Sequence, residues 1–288
     1  MTGTAAWLAS VCAVMSKDPF YGPILNDRFA MRFASAISGE APRLLAEYDD
    51  DARREQFIHH HEFETPRSVT IVCYRKPIME RQAREALEAT GADQLVVMGA
   101  GCDSLSLRLA ATGHRPTVYE IDRPAVIDYR TRVIDGVTEV KHDHIHGVGV
   151  DFDHQTFGEV LIQKGYDPTK RAVFFAEGLL GYVQPEAVDE IFRFIKEKSA
   201  PGSRFVFSFT ESRRRDAANR APGTETLDAQ GEEPVFDLPP SEARAFVTER
   251  GFRMVELLTS SDLKEQYRTL HDGRIKITPF MHLAVAET

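Results

Sequence analysis

Four acidic residues stand where a series of apolar runs ends. Asp103 follows the turn Gly99-Ala100-Gly101-Cys102, Asp122 closes the run Tyr119-Glu120-Ile121, Asp151 precedes Phe152, and Glu177 precedes Gly178. A glycine turn between a strand and a helix is where α/β proteins bring backbone N–H donors up to a ligand. A dinucleotide-binding turn reads Gly-x-Gly-x-x-Gly, and its third glycine lets helix and strand pack closely. Here Ser104 occupies that third position and Asp103 stands directly before it. A carboxylate there repels a pyrophosphate at a helix N-terminus, which argues against a nicotinamide-dependent oxidoreductase. It suits a ligand with an ammonium group and no phosphate. S-adenosylmethionine (SAM), cationic at its amine and its sulfonium, is such a ligand. Asp122 lies about 20 residues past the glycines, the position of a ribose acceptor, and is nearer its strand end than Glu120 on the same face. Asp151 is suited to accept from an adenine amino group while the N–H of Phe152 donates to a ring nitrogen. Each acid alone reads equally as a helix cap or a solvated loop residue. Acids after four successive strands describe a negative rim that fits a cationic nucleoside.

The elements that would position these residues alternate between 94 and 210. Gln94–Met98, Pro116–Asp122, Val148–Asp151, Ala172–Ala176 and Arg204–Phe209 read as strands. Between them, Ser104–Thr112 reads as a helix, and further helices open at Pro124 and Pro185, with Val188, Ile191, Phe192 and Ile195 at helical spacing. Such alternation predicts right-handed crossovers and a Rossmann-like, largely parallel sheet with helices on both faces. Arg253–Leu258 and Met281–Ala286 supply two more strands, and Ser241 is placed to cap a helix running to Arg250. The organisation expected is one domain over residues 1–288. Residues 1–90 form a helical cover ending in a helix over Arg75–Thr90, residues 91–210 the ligand-binding core, and residues 211–288 a polar substrate cover followed by strands.

Composition narrows the function classes. The chain has 288 residues, 42% hydrophobic and 27% charged, with a net charge of −9, so it is globular and carries no positive field to gather nucleic-acid phosphates. No run approaches the ~20 apolar residues that span a bilayer. The N-terminus lacks a basic stretch leading into an apolar one, and three cysteines (Cys12, Cys73, Cys102) suit a reducing compartment, so a cytoplasmic protein is expected. Nothing in the sequence signals an oligomeric state. His142, His144 and His146 alternate, but the Asp-His half of a metallohydrolase motif is missing, so they read as solvated loop or edge-strand histidines and no metal is expected.

Three segments together resemble the leucine carboxyl methyltransferase family. They are Val96-Val-Met-Gly-Ala-Gly-Cys-Asp-Ser104, Tyr119-Glu-Ile-Asp-Arg-Pro124 and Phe175-Ala-Glu-Gly-Leu-Leu-Gly-Tyr-Val-Gln-Pro-Glu186. The resemblance implies a class I SAM-dependent methyltransferase with a seven-stranded sheet whose last strand is antiparallel. It implies that Gly99, Gly101 and Asp103 line the methionine part of SAM, that Asp122 holds the ribose, and that Asp151 and Phe152 hold the adenine. By the same resemblance Glu177 faces the amino-acid end, and Arg75 holds the cofactor carboxylate, as guanidinium groups do. The chain departs from the family in two places. No arginine is evident well upstream of Asp18-Pro19, and the glycines are followed by Asp103-Ser-Leu105 where the family has Asp-Thr-Arg.

Methyl transfer needs nucleophile and methyl carbon aligned, and an ionised carboxylate acceptor needs no base. No catalytic base stands out, which suits carboxyl methylation. Tyr182, just past the fourth strand, is placed to orient an acceptor, and Arg213, Arg214 and Arg215 would attract an anionic one if they do not simply form a solvated face. The sequence therefore reads as an O-methyltransferase acting on a small-molecule carboxylate. The alternatives are a protein C-terminal carboxyl methyltransferase, a non-catalytic SAM-binding protein and, last, the oxidoreductase.

Overall fold

The computed structural model describes residues 3–37, 50–60, 70–152, 154–211, 235–268 and 281–288. Seven strands form one sheet: β1 (Gln94–Met98), β2 (Thr117–Asp122), β3 (Ile145–Gly149), β4 (Ala172–Ala176), β5 (Arg204–Thr210), β6 (Arg253–Leu258) and β7 (Met281–Glu287). Their order is β3-β2-β1-β4-β5-β7-β6. The pairs β1/β4, β4/β5 and β2/β3 are parallel, whereas β7 runs antiparallel to both β5 and β6. This is the α/β, mostly parallel, seven-stranded arrangement expected. Strand order reverses at β1 and β4, and open α/β sheets bind ligands beyond the carboxyl ends of the strands at such a reversal. Every residue of β1 and of β4 is buried, which is why both read as unbroken apolar runs without alternation. Among the described residues no helix is long and apolar enough to cross a membrane.

The chain divides into two compact units, Met1–Arg84 with Ala100–Tyr166, and Glu85–Gly99 with Asp167–Thr288. The first holds β2, β3 and most of the helices: α1 (Gly3–Met15), α2 (Tyr21–Leu25), α3 (Ala30–Ser35), α4 (Asp51–His59), the start of α5 (Lys76–Thr90), α6 (Leu105–Ala111), α7 (Pro124–Asp135) and α8 (Phe157–Gln163). Asp18 opens α2 by accepting the N–H groups of Phe20 and Tyr21, and Asp50 caps α4 by accepting those of Ala52 and Arg53. Phe29 and Phe33 pack on Tyr129, Val133 and Ile134 of α7, joining the N-terminal helices to the helix behind β2. A π-helical turn, Thr70–Arg75, leads into α5. Such turns are uncommon and recur at functional sites.

The sequence misplaces the third strand. It pairs from Ile145 with Val118 to Gly149 with Asp122, so it starts among the histidines and ends before Asp151. As the edge strand it has one neighbour and little burial, and its polar first half reads as loop. His146 lies on that strand as expected, but the reading of His144 as solvated is wrong. Both its ring nitrogens are buried without hydrogen-bond partners, and burial lowers the pKa of the ring.

The second unit holds β1, β4, β5, β6 and β7 with α9 (Pro185–Glu197), α10 (Ala243–Glu249) and α11 (Ser260–Arg268). The predicted stripe of α9 is buried, and Phe192 within it meets Phe205, Phe207, Phe246 and Phe252 edge-on at 5.2–5.6 Å. Ser241 does not cap α10; Glu242 holds the cap position without a side-chain hydrogen bond, and both are exposed. Arg213, Arg214, Arg215 and most of the predicted 211–240 cover lie outside the described residues.

Candidate cofactor site

The glycine turn leaves β1 with Gly99 at φ +67° and Gly101 at φ +51°, backbone that side-chain-bearing residues rarely adopt. A Cβ on Gly99 would also come within 3.0 Å of Leu179 Cδ1. Past the turn, the N–H of Ala100 donates to the carbonyl of Ile121 in β2 (3.1 Å). The N–H of Gly101 donates to Asp122 Oδ2 (2.8 Å), and the N–H of Arg123 donates to Asp122 Oδ1 (2.8 Å). Asp122 is thus fixed by one backbone donor on each oxygen. Each oxygen retains a lone pair, so the carboxylate can still take two hydroxyl donors side by side.

Glu120, two residues earlier on the same strand face, has a different task. It is buried and ion-paired with Arg130 of α7, and it also accepts from Ser106 Oγ (2.6 Å). The Arg130 guanidinium, through Nη1, donates to the carbonyls of Ala100 (2.9 Å), Gly101 (3.0 Å) and Asp103 (2.7 Å). One buried cation therefore holds the glycine turn from beneath. The sequence reading missed Arg130. Its only local signal is an arginine among the apolar positions of an amphipathic helix, opposite an acid inside a strand.

Asp103 is not the free anion that the sequence suggests. Lys76, the first residue of α5, is ion-paired with Asp103 Oδ2, while Oδ1 accepts the N–H of Leu105 (2.6 Å) and lies 3.4 Å from Arg108 Nη1. The negative rim is thus compensated at this point. Arg108 in turn donates to Glu80 (2.7 Å), Asp27 (3.0 Å) and Ser104 Oγ (2.6 Å), and Ser104 donates to Asp27 (2.7 Å). Burial opposes the charge of Arg108, but Asp27 and Glu80 outweigh it and raise its pKa. Ser104, read as a missing third glycine, is thus the tie between the turn and the N-terminal segment. Lys76, Asp27, Glu80 and Arg108 were all missed, since sequence separation conceals such partners.

Arg75 ends the π turn and is buried, 8% exposed, so it is not a surface arginine at a helix start. Asp151 and Phe152 follow β3 on an open stretch. Asp151 bonds to His154 Nδ1 (2.8 Å), its N–H donates to Gln155 Oε1 (3.1 Å), and the Phe152 ring is 57% exposed. Cys102, within the turn, is no nucleophile, because burial pushes its thiol up to about 11.

In the second unit, Glu177 follows β4 and is half-buried, and the N–H of Gly178 donates to Ser208 Oγ of β5 (2.8 Å). Tyr182 ends a 3₁₀ turn, Leu180–Tyr182, with its side chain exposed. The N–H groups of Val235 and Phe236 hold that turn through the Gly181 carbonyl (2.7 and 3.2 Å). Among the described residues, no three His, Cys, Asp or Glu side chains are grouped to hold a metal.

Comparison with known proteins gives a consistent picture. The family model described as leucine carboxyl methyltransferase matches residues 5–196. A protein of Mycolicibacterium smegmatis, named as an S-adenosyl-L-methionine-dependent methyltransferase, is 30% identical over 237 residues, 82% of this chain and 75% of its own. One of Mycobacteroides abscessus with the same name is 32% identical over 259 residues, 88% of this chain and 83% of its own. Among solved structures, a DUF574-family protein from Streptomyces avermitilis is similar in fold, with a TM-score of 0.57 at 16% identity over 89% of this chain and 95% of that one. A methyltransferase from Thermobifida fusca is similar too, with a TM-score of 0.53 at 16% identity over 89% of this chain and 93% of that one.

Proposed function

The chain belongs to the leucine carboxyl methyltransferase family, and on that premise we propose that it is a cytoplasmic SAM-dependent O-methyltransferase that esterifies the carboxylate of a small, anionic acceptor. The observation that carries the cofactor is Asp122, an acid 21 residues beyond Gly101 and anchored to that glycine's own N–H. Its two remaining lone pairs suit the vicinal hydroxyls of a ribose. The residues present fit the rest of the nucleoside. Gly99 and Gly101 both adopt backbone that favours glycine, and a Cβ on Gly99 would meet Leu179. Asp151 and the Phe152 N–H suit an adenine edge, Arg75 suits an α-carboxylate and, in the second unit, Glu177 suits an α-ammonium.

When bound, SAM supplies a methyl carbon activated by its sulfonium. A carboxylate acceptor would be ionised already, so the chain would need no residue to take a proton from it. The residues therefore contribute alignment and exclusion of water, and pre-organisation of this kind lowers barriers by up to roughly 7–11 kcal/mol. Tyr182, whose side chain is exposed, orients the acceptor.

The test is transfer of labelled methyl groups from SAM to a panel of small carboxylic acids, phenols and amines. A methyl ester releases methanol in mild base, whereas ethers and N-methyl products do not. Base-labile product from an acid is the expected result; transfer confined to phenols or amines would overturn the carboxyl assignment. Transfer to a peptide C-terminus and to no small acid would move the acceptor to the protein class.

A further inference from the structure

His282 is a polar residue in the apolar strand β7, and it is only 2% exposed. Its ring lies against that of Phe209 in β5 at 5.3 Å, and its Nδ1 receives the N–H of Ser260 (3.3 Å). A backbone N–H can only donate, so Nδ1 is the bare nitrogen. Burial keeps the ring neutral near pH 7, and a neutral ring bare at Nδ1 carries its hydrogen on Nε2. That Nε2–H is buried and has no hydrogen-bond partner. Buried donors in folded proteins nearly always have one, so an orphan calls for a reason. Two acids act on the ring. Asp262 is committed elsewhere, its Oδ2 accepting the N–H (2.8 Å) and the hydroxyl (2.6 Å) of Thr259. Glu211 faces Nε2 itself, with Oε2 at 4.0 Å and a side chain 51% exposed.

Glu211 also stands where an acceptor is expected. It follows the last residue of β5, at the rim where open α/β sheets bind ligands. Thr210, just before it, closes on the turn that carries Tyr182, since a Cβ on Gly181 would lie 3.5 Å from Thr210 Oγ1. A movement of about one ångström in the half-exposed Glu211 side chain brings Oε2 into hydrogen-bond range of Nε2–H and leaves Oε1 for the rim. We propose that Glu211, steadied by the buried His282, reads a hydrogen-bond donor on the acceptor, so that the preferred substrate is a carboxylic acid that also carries a hydroxyl or amino group. This rests on the carboxyl-methylation reading above and adds a specificity pair to it. A carboxylate accepts and cannot donate, so Glu211 attracts an O–H or N–H and turns the reacting carboxylate away from itself. His282 is a positioning residue: it holds one oxygen of Glu211 and so fixes the direction of the other.

The test is labelled methyl transfer to benzoate, phenylacetate and hexanoate, each beside its hydroxyl- and amino-bearing counterparts, with base-labile product as the readout. Wild type is expected to favour the donor-bearing acids in kcat/KM by about tenfold or more. Glu211→Met should bring that ratio close to one. His282→Leu should lower it chiefly through KM, whereas His282→Gln, which keeps an N–H donor, should retain it. Affinity for S-adenosylhomocysteine should stay within about twofold in all three variants. Without any turnover, long-range proton–nitrogen NMR at pH 7 should show the His282 hydrogen on Nε2. Four outcomes overturn the proposal: a wild type indifferent to the added donor, an E211M that keeps the preference, an H282L that loses S-adenosylhomocysteine as well, which marks a purely structural role, or a hydrogen on Nδ1. Ester from none of the acids overturns the carboxyl reading itself, and the proposal with it.

Discussion

Arg130 and Glu120 form an ion pair almost wholly out of water, 3% and 2% exposed, and the same guanidinium holds the carbonyls of Ala100, Gly101 and Asp103. The strand that presents Asp122 and the turn that contacts it are therefore tied by a single cation.

Arg130→Met is expected to destabilise the protein by about 3–5 kcal/mol, because Glu120 is left buried and uncompensated. Combining it with Glu120→Met removes both charges and should recover much of the stability. The double variant should still bind S-adenosylhomocysteine weakly, since the turn has lost its brace. Urea denaturation reads the first effect and calorimetry the second; full recovery of affinity in the double variant would show that the carbonyl contacts are idle.

Asp122→Asn keeps one carbonyl oxygen for the Gly101 N–H but replaces the other acceptor with a donor facing the N–H of Arg123. Affinities for S-adenosylhomocysteine and 5′-methylthioadenosine should fall together, by about tenfold or more, because both carry the ribose. Equal binding by D122N and wild type would remove Asp122 from the ribose.

At Gly99 the backbone lies at φ +67°, and Gly99→Ala should cost about 1–2 kcal/mol from that conformation alone. The added methyl also meets Leu179, so Leu179→Ala relieves the contact and leaves the backbone cost. Thermal melts of G99A with and without L179A separate the two; complete rescue would show that the conformation is not the source.

His282 gives a pH dependence whose sign is fixed. Burial holds its ring down to about 4 from the ordinary 6.5, with Nδ1 accepting from the Ser260 N–H (3.3 Å) and Nε2 without a hydrogen-bond partner. Between those values the unfolded chain takes up a proton that the folded chain refuses. Stability is therefore full above pH 6.5 and lost as pH falls toward 4, by up to about 3 kcal/mol. Urea midpoints at pH 7, 6 and 5 should decline less in His282→Gln than in wild type. Some decline should remain, because desolvation lowers the His144 ring too. Parallel declines would exclude His282 as a source.

Tyr182→Phe removes an exposed hydroxyl from the turn after β4. If that hydroxyl orients the acceptor, kcat/KM should fall about tenfold while S-adenosylhomocysteine affinity is unchanged. Unchanged turnover would confine Tyr182 to the surface.

What was legible in the sequence follows from range. β1 and β4 are buried on both faces, so composition alone marks them. The spacing from Gly101 to Asp122 is set by one strand–helix–strand repeat and can be counted. Arg130, Lys76, Arg108 and Asp27 could not be counted, because most of their partners lie 10 to 81 positions away and a sequence displays charges without their pairings. That is also why Asp103 reads as a free anion and is not one. The edge strand β3 was misplaced for the opposite reason: one neighbour and weak burial leave little pattern to read.

The position of β7 bears on how the chain reaches its fold. β7 is made after β6 yet lies between β6 and β5. A ribosome that has released β6 has released a strand with no native neighbour, and the Phe205, Phe207 and Phe209 strand meanwhile ends in an open edge. Unpaired edges of this kind invite pairing with other chains. Residues 281–287 pair with both β5 and β6, so loss of that short segment would remove two strand pairings at once. A chain stalled or clipped before residue 281 is expected to aggregate instead of persisting as a smaller folded enzyme.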